Sequence, residues 1–239
     1  MRTLGAAQLL DVWEQAIELP PPRRALALLR AACPDAKGEE LAALPVGRRD
    51  DLLMQLREHL FGSRLDLVAP CPACREPLES TLQVADVRIG TQAAASEQSL
   101  RIGDRCIRFH APTAGDLVDL PTDPSAARLA LLSRCVIDAD APGVDVNTLP
   151  ESVVDAISTA MSAADPQADA ELALACPACG HRWQSVFDIA AFLWREIDAW
   201  AQRTLRDVHA LARGYGWRES DILALTPTRR QIYLEMIRP

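Results

Sequence analysis

Lysine is almost missing from this sequence. Lys37 is the only one, and the other 24 of the 25 basic residues are arginine. Such a bias often reflects a GC-rich genome and is no evidence for phosphate recognition. Long apolar runs are missing too: no stretch approaches the roughly 20 residues needed to cross a bilayer. Asp11 and Glu14 interrupt the N-terminal segment before it could form the apolar core of a signal peptide, so the expected location is the bacterial cytoplasm. Nor is there a glycine-rich phosphate loop, a nucleophile elbow, a metal-ligand set with an open position, or a recognisable carboxylate pair. Nothing in the sequence points to an enzyme.

What remains is the composition of an ordinary globular protein, with 239 residues, 49% hydrophobic and 24% charged. At ~150 residues per domain that length makes one or two cores. The formal net charge of −8 is unevenly spread. Pro112 to Ala175 holds eleven Asp and Glu against Arg128 and Arg134, whereas Arg182 to Pro239 holds nine Arg against seven acidic residues. A chain this acidic lacks the clustered cations that polyanion binding needs. Nucleic acid, membrane and small-molecule substrate are therefore not expected partners.

Four of the seven cysteines form two identical motifs, Cys71-Pro72-Ala73-Cys74 and Cys176-Pro177-Ala178-Cys179. Two residues between cysteines let both thiolates point inward from one tight knuckle. Two knuckles supply the four ligands of a closed, tetrahedral structural zinc site, so one Zn2+ per chain is expected. The flanks agree. Apolar Leu65–Ala69 and Glu171–Ala175 precede the knuckles, and Pro77–Leu82 and Arg182–Phe187 follow them, all readable as strands. Strand, knuckle, strand, repeated, is a zinc ribbon. Its halves are separated by 101 residues, against roughly 15–20 in a compact ribbon, so they must bracket an inserted subdomain. Another metal such as iron remains open. A thioredoxin-like dithiol fits poorly because neither knuckle opens a helix in a βαβ unit, and disulfides fit poorly with a cytoplasmic location. Cys33, Cys106 and Cys135 read as buried thiols. His181 reads as a turn residue, and His59, His110 and His209 as surface or satisfied core positions.

The rest is mostly helical. Leu10, Trp13, Ala16 and Ile17 trace an amphipathic stripe over Ala7–Leu19, and Pro20-Pro21-Pro22 ends it and opens a second helix. A third follows Pro45-Val46-Gly47, with Leu52, Leu53, Leu56, His59 and Leu60 on one face as far as Phe61-Gly62. Within the insertion, Leu100–Ile102 and Arg105–Phe109 read as a hairpin turning at Gly103-Asp104. Helices are expected over 114–118, capped by Thr113, over 125–136 and over 151–161. Segment 91–98 reads as a loop. The acidic run Asp138–Asp145 has no closing Glu at the twelfth position of a calcium loop and reads as a solvated loop. Asp188 is placed to cap a long helix ending near Gly214 or Gly216, striped by Ile189, Leu193, Ile197, Trp200, Leu205, Val208, Leu211 and Ala212. Phe192 and Trp194 lie off that stripe, making the helix apolar on a second side. Short helices at 219–225 and after Thr226-Pro227 complete the chain.

The predicted class is α+β, mainly α-helical. Its helices pack around a split four-cysteine zinc ribbon that brackets an inserted, acidic subdomain. The expected segments are a helical 1–62, ribbon halves 63–88 and 170–187, the insertion 89–169, and a helical 188–239. Trp194, Trp200, Tyr215, Trp217 and Tyr233 hold most of the Trp and Tyr in the chain, and such residues are over-used in protein–protein hot spots. They are the candidate partner-binding set.

Leu9–Glu14, Leu44-Pro45-Val46-Gly47-Arg48-Arg49-Asp50, Leu56-Arg57-Glu58, Phe61-Gly62, the first knuckle and Pro112-Thr113-Ala114-Gly115-Asp116-Leu117, taken in order, resemble the T-even phage baseplate protein family. Ala164-Asp165-Pro166-Gln167-Ala168, the second knuckle, Phe187-Asp188-Ile189 and Leu193–Ile197 continue the pattern. The tail Tyr215–Leu225, with Arg229-Arg230 and Tyr233-Leu234, looks like a segment of tail-assembly proteins. The resemblance implies a non-enzymatic assembly role, as chaperone or structural component, in a contractile phage tail or phage-like contractile injection system. Baseplate or hub subunits would be its partners, and it could enter the assembled particle. The competing reading is a zinc-ribbon nucleic-acid-binding regulator, with the last two helices as a helix-turn-helix. The acidic insertion and the two arginines near the start of the last helix argue against it.

Overall fold

Gly62, with φ of 86°, ends one helix and lets the chain turn into the first of two nearly matching hairpins. In the computed structural model, which describes residues 1–89, 97–102, 105–139 and 146–237, the chain is α+β and mainly helical. Three small antiparallel sheets accompany the helices. Its contacts divide it into two units, one of residues 36–189 and one of residues 1–35 with 190–239.

After α1 (Ala6–Ala16) and α2 (Pro21–Ala32) of the other unit, the 36–189 unit opens with a short helix α3 (Gly38–Ala42) and then α4 (Val46–Phe61). Pro45 sits at the N-cap of α4, as the sequence suggests. The buried face differs from the expected one. Leu53, Met54, Leu56 and Arg57 are buried together with Arg49, Asp50 and Asp51, while His59 is exposed and Leu52 and Leu60 are half-buried. Charged residues occupy the inner face because a polar junction, described below, lies against it.

Strands β1 (Arg64–Pro70) and β2 (Pro77–Gln83) form the first hairpin, paired from Arg64 with Gln83 to Pro70 with Pro77. After the short helix α5 (Val84–Val87), the insertion builds β3 (Gln98–Ile102), β4 (Arg105–Phe109) and β5 (Val136–Ala139) into one sheet in that order. Helices α6 (Pro124–Cys135) and α7 (Glu151–Ala164) belong to the same stretch, and Asp123 caps α6 by accepting from the Ala126 amide at 2.8 Å. Ile107, Phe109, Leu132, Cys135, Val146, Val154, Ile157 and Met161 make its core. Strands β6 (Glu171–Ala175) and β7 (Arg182–Val186) form the second hairpin.

Two expectations within the insertion are corrected. Residues 114–118 are consecutive turns rather than a helix. The Thr113 hydroxyl does accept from the Asp116 amide at 3.2 Å, but Asp119 adopts a φ of 56°, which a continuing helix does not allow. Val136 leaves α6 for β5, which pairs with β4. The expected loop 91–98 falls mostly outside the described residues, as do the Gly103-Asp104 turn and 140–145 of the acidic run.

In the other unit, α1 (Ala6–Ala16) and α2 (Pro21–Ala32) pack together, with Pro20 and Pro21 at the start of α2. Leu9, Leu10 and Ala16 are buried, whereas Ile17 lies beyond the helix end and is exposed. The first three predicted helices are thus shared between units, α1 and α2 in one and α4 in the other. The long helix α8 (Ile189–Tyr215) buries Leu193, Ile197, Ala201, Thr204, Val208 and Leu211 at three- and four-residue intervals. Phe192 and Trp194 are buried as well, so the second apolar side is real, but Leu205 is exposed. Gly216, at φ of 70°, closes the helix by donating to Ala212 O at 2.8 Å. Helices α9 (Glu219–Leu223) and α10 (Pro227–Ile237) follow, the latter capped by Thr226, whose hydroxyl accepts from the Arg229 amide at 3.3 Å. Among the described residues no helix is long and apolar enough to cross a membrane.

Candidate metal centre

Each hairpin carries its Cys-Pro-Ala-Cys at the tip, and the two tips are built alike. The Cys71 amide donates to Glu76 O and the Cys176 amide to His181 O, at 2.9 and 2.8 Å. The Arg75 amide returns to Cys71 O and the Gly180 amide to Cys176 O, at 2.8 and 2.9 Å. Arg75 and Gly180, the residues just after each motif, both take positive φ, 64° and 72°. At the second tip glycine takes that conformation freely, whereas at the first an arginine bears the strain.

The four sulfurs meet. Cys71 Sγ lies 3.7 Å from Cys179 Sγ and Cys74 Sγ 3.6 Å from Cys176 Sγ, and all four lie within 4.8 Å of one another. These separations are far beyond a disulfide bond of ~2.05 Å, and the four knuckle cysteines are free thiols. Cys71 and Cys176 are buried, Cys74 and Cys179 exposed. Only sulfur donors line the cluster, and it can hold a metal ion.

Electrostatics separates the thiols. The Cys74 amide, with the Ala73 amide and the neighbouring sulfurs, brings Cys71 down to about 7. The Glu76 amide pulls Cys74 the same way, but the Cys179 sulfur, burial and the other sulfurs outweigh it and push Cys74 up to about 12. Cys179 is also raised: the His181 amide and Cys74 favour its thiolate, and burial with the Cys176 and Cys71 sulfurs overcomes them. The Cys71 thiolate forms readily here, whereas Cys74 and Cys179 need a cation beside them before they can join it.

A second group, His110, Asp116 and Cys135, also clusters, though the sequence spacing gave no hint of it. It is a satisfied network. His110 Nδ1 is 2.9 Å from Ala111 O and Nε2 is 3.2 Å from Arg134 O, so both ring nitrogens face carbonyl oxygens. Asp116 Oδ2 accepts from the Thr113 amide and hydroxyl at 2.8 and 2.6 Å. Burial, helped by Asp116, pushes the Cys135 thiol up to about 12. Cys135 is therefore an inert buried thiol, while Cys33 and Cys106 are only half-buried.

Sequence reasoning also missed a polar junction made by three of the resemblance motifs. Val46 N donates to Pro112 O at 2.9 Å, Ala114 N to Leu44 O at 2.8 Å and Gly115 N to Ala42 O at 2.8 Å. Gly47 N donates to Asp165 Oδ2 at 2.7 Å. Gln167 accepts from the Ile89 amide at 2.6 Å and donates to Val87 O at 3.3 Å. Beside them Asp51 accepts from Arg48, Gln55 and Arg88, and Arg49 pairs with Asp50 at 2.7 Å with both nearly buried. Burial, only partly offset by Arg49, pushes Asp50 up to about 6. The only local signal was the helix start at Pro45-Val46-Gly47.

The candidate partner residues lie in the other unit. Trp194 is buried, with the Arg24 guanidinium 4.6 Å above its ring. Trp200 is half-buried. Tyr215 stacks on Trp217 with centroids 4.6 Å apart, and Tyr233 meets Trp217 edge-on at 4.9 Å. These three half-buried rings pack against Val208, Leu211, Ile222 and Leu234. In the helix-turn-helix reading α10 would present Arg229 and Arg230, but Arg230 is buried and only Arg229 is free to reach out.

The chain is α+β, with two cysteine-tipped hairpins whose four sulfurs meet in one cluster that could hold a metal ion. The chain belongs to the T4 bacteriophage base plate protein family, whose model matches residues 23–194. That span takes in both knuckles and the whole polar junction; the Leu9–Glu14 stretch and the tail from Tyr215 lie outside it. No curated protein and no solved structure matches the chain. Membership gives it a structural baseplate role at the level of the family.

Proposed function

We propose that this chain is a non-enzymatic baseplate or hub-assembly protein of a contractile phage tail or phage-like contractile injection system. A single structural zinc held by Cys71, Cys74, Cys176 and Cys179 stabilises it. The observation that carries the reading is the four-sulfur cluster inside the family-matched span. A regular tetrahedron with Zn–S of ~2.3 Å has edges of about 3.8 Å, close to the 3.6 and 3.7 Å between the facing sulfurs. Thiolate sulfur is the donor that zinc prefers for closed sites, and four such donors leave no position for a reactive water. The zinc ties two hairpins whose knuckles are 101 residues apart, bracing the 36–189 unit.

Baseplate subunits are the partners of this reading, and the C-terminal helices are where they dock. The aromatic trio Tyr215, Trp217 and Tyr233 shapes that corner, with Trp194 and Trp200 further back along α8. Ile232 and Met236, one helical turn apart on α10, are 45% and 68% exposed and supply apolar contact area. The test is co-expression with the neighbouring tail genes, followed by affinity capture, identification of the captured subunits by mass, and metal analysis of the complex. Capture of baseplate subunits with about one zinc per chain is the expected result. A zinc-free protein, or one retained on DNA in a salt-dependent way instead, would overturn it.

A further inference from the structure

One surface of the acidic chain is positively charged and hollow. A cavity of about 540 Å³ lies between α8 and the start of α10, lined among others by Trp200, Arg203, Thr204, Arg206, Asp207 and Arg230. Three arginines face one aspartate there, a balance of +2 in a chain of −8. Among the described residues none of the three guanidinium groups takes part in an ion pair.

Arg230 is the informative member. It is 6% exposed, and its Nε is buried with no hydrogen-bond partner. A buried donor left unmade is costly, and more so when charged, so native proteins seldom keep one without a reason. A guanidinium is also the group best matched to a carboxylate, which it grips through two parallel N–H donors. Arg203 and Arg206, exposed on α8 within one helical turn of each other, extend the same field towards solvent. Trp200, half-buried beside them, offers a flat apolar wall.

We propose that this cavity is a docking site for an acidic peptide segment of a partner protein, whose carboxylates pair with Arg230, Arg203 and Arg206 and whose aliphatic stems lie on Trp200. The volume is that of a ligand pocket rather than of a single ion, which favours a segment with side chains over free phosphate. The mixture of indole and guanidinium suits carboxylates carried on an apolar backbone. That the segment belongs to another protein rests on the assembly role proposed above; the charge and shape of the site do not.

The test uses the full-length protein with its metal. The probes are a fluorescent capped hexapeptide of three glutamates alternating with leucines, its glutamine counterpart, and inorganic phosphate. Saturable binding of the glutamate peptide is expected, with ~tenfold or greater loss in Arg230→Gln and in the double variant Arg203→Gln/Arg206→Gln. The surface double variant keeps the test valid if Arg230→Gln folds poorly, and thermal midpoint and zinc content report on the fold of each. Equal binding of the glutamine peptide, insensitivity to the arginine variants, or no saturable binding overturns the proposal. Phosphate saturating the site at lower concentration than the peptide overturns the peptide assignment. Peptide binding that persists while co-expression captures no baseplate subunit would place the failure in the assembly reading instead.

Discussion

Gly47 and Asp165 are 118 residues apart in sequence, yet the Gly47 amide donates to Asp165 Oδ2 at 2.7 Å and the pair is buried. The approach is possible only because residue 47 has no side chain. A Cβ placed there would sit 1.9 Å from Asp165 Oδ1 and 2.9 Å from Gln167 Cβ. Gly47→Ala is therefore expected to destabilise the 36–189 unit by about 2 kcal/mol or more, since the clash involves two buried side chains. Asp165→Ala leaves the amide unpaired and is expected to cost about 1–3 kcal/mol. Urea denaturation of both variants checks this; a wild-type midpoint in Gly47→Ala would show that the junction is looser than described.

The cysteine cluster makes its own demand. Cys71→Ser and Cys176→Ser, one from each hairpin, are expected to lose the metal equivalent and to lower the thermal midpoint, because metal affinity and folding are one free energy. Cys135→Ser, outside the cluster, is expected to keep the metal. Metal analysis with differential scanning calorimetry reads both quantities. Unchanged metal content in both knuckle variants would remove the cluster from consideration as the site.

Asp50 gives a pH dependence of unusual sign for a carboxylate. Its folded value of about 6 lies above the ordinary 3.8, because burial outweighs the attraction of Arg49, with Asp188 and Asp165 adding repulsion. The folded state thus holds this proton more tightly than the unfolded chain. Its contribution is fully present below about pH 3.8 and is lost as pH rises towards 6, by up to about 3 kcal/mol. In Asp50→Asn that fall between pH 4 and 6 is expected to flatten, whatever the absolute cost of leaving Arg49 without its partner. Stability curves at half-unit pH steps would show it, and an identical slope in the variant would contradict the assignment.

The C-terminal corner separates packing from docking. Trp217→Ala removes a ring held between Tyr215 and Tyr233 and is expected to cost about 3 kcal/mol. Ile232→Ser/Met236→Ser changes exposed positions and is expected to leave the thermal midpoint within about a degree while reducing capture of baseplate subunits. Undiminished capture by that folded double variant would move the docking surface elsewhere.

Much of this was legible in the sequence wherever the signal is local. Proline at 20 and 21, Thr226-Pro227 and Gly216 mark helix ends that the structure places within a residue or two. The knuckle flanks became strands because apolar and polar residues alternate there under the fixed geometry of Cys-Pro-Ala-Cys. Apart from the two knuckles, pairings between distant segments were not legible. Val136 and Ile137 continue the apolar pattern of α6, and only the neighbouring edge of β4 makes them a strand. Asp50, Asp51 and Asp165 look like solvated acids until Gly47, Arg49 and Arg88 come together around them. For the sulfurs the motif named the residues, whereas the distances between them needed the fold.

The order in which the chain is made now matters. A ribosome adding ~5–20 residues per second completes Cys74 roughly five to twenty seconds before Cys176. Throughout that interval the first hairpin has half a ligand set. The intervening stretch has its own core, around Ile107, Phe109, Leu132 and Ile157, that can form while the second knuckle is awaited. Synthesis itself thus sets a sequence of events in which the thiol cluster can close only after the whole insertion between the knuckles has been made.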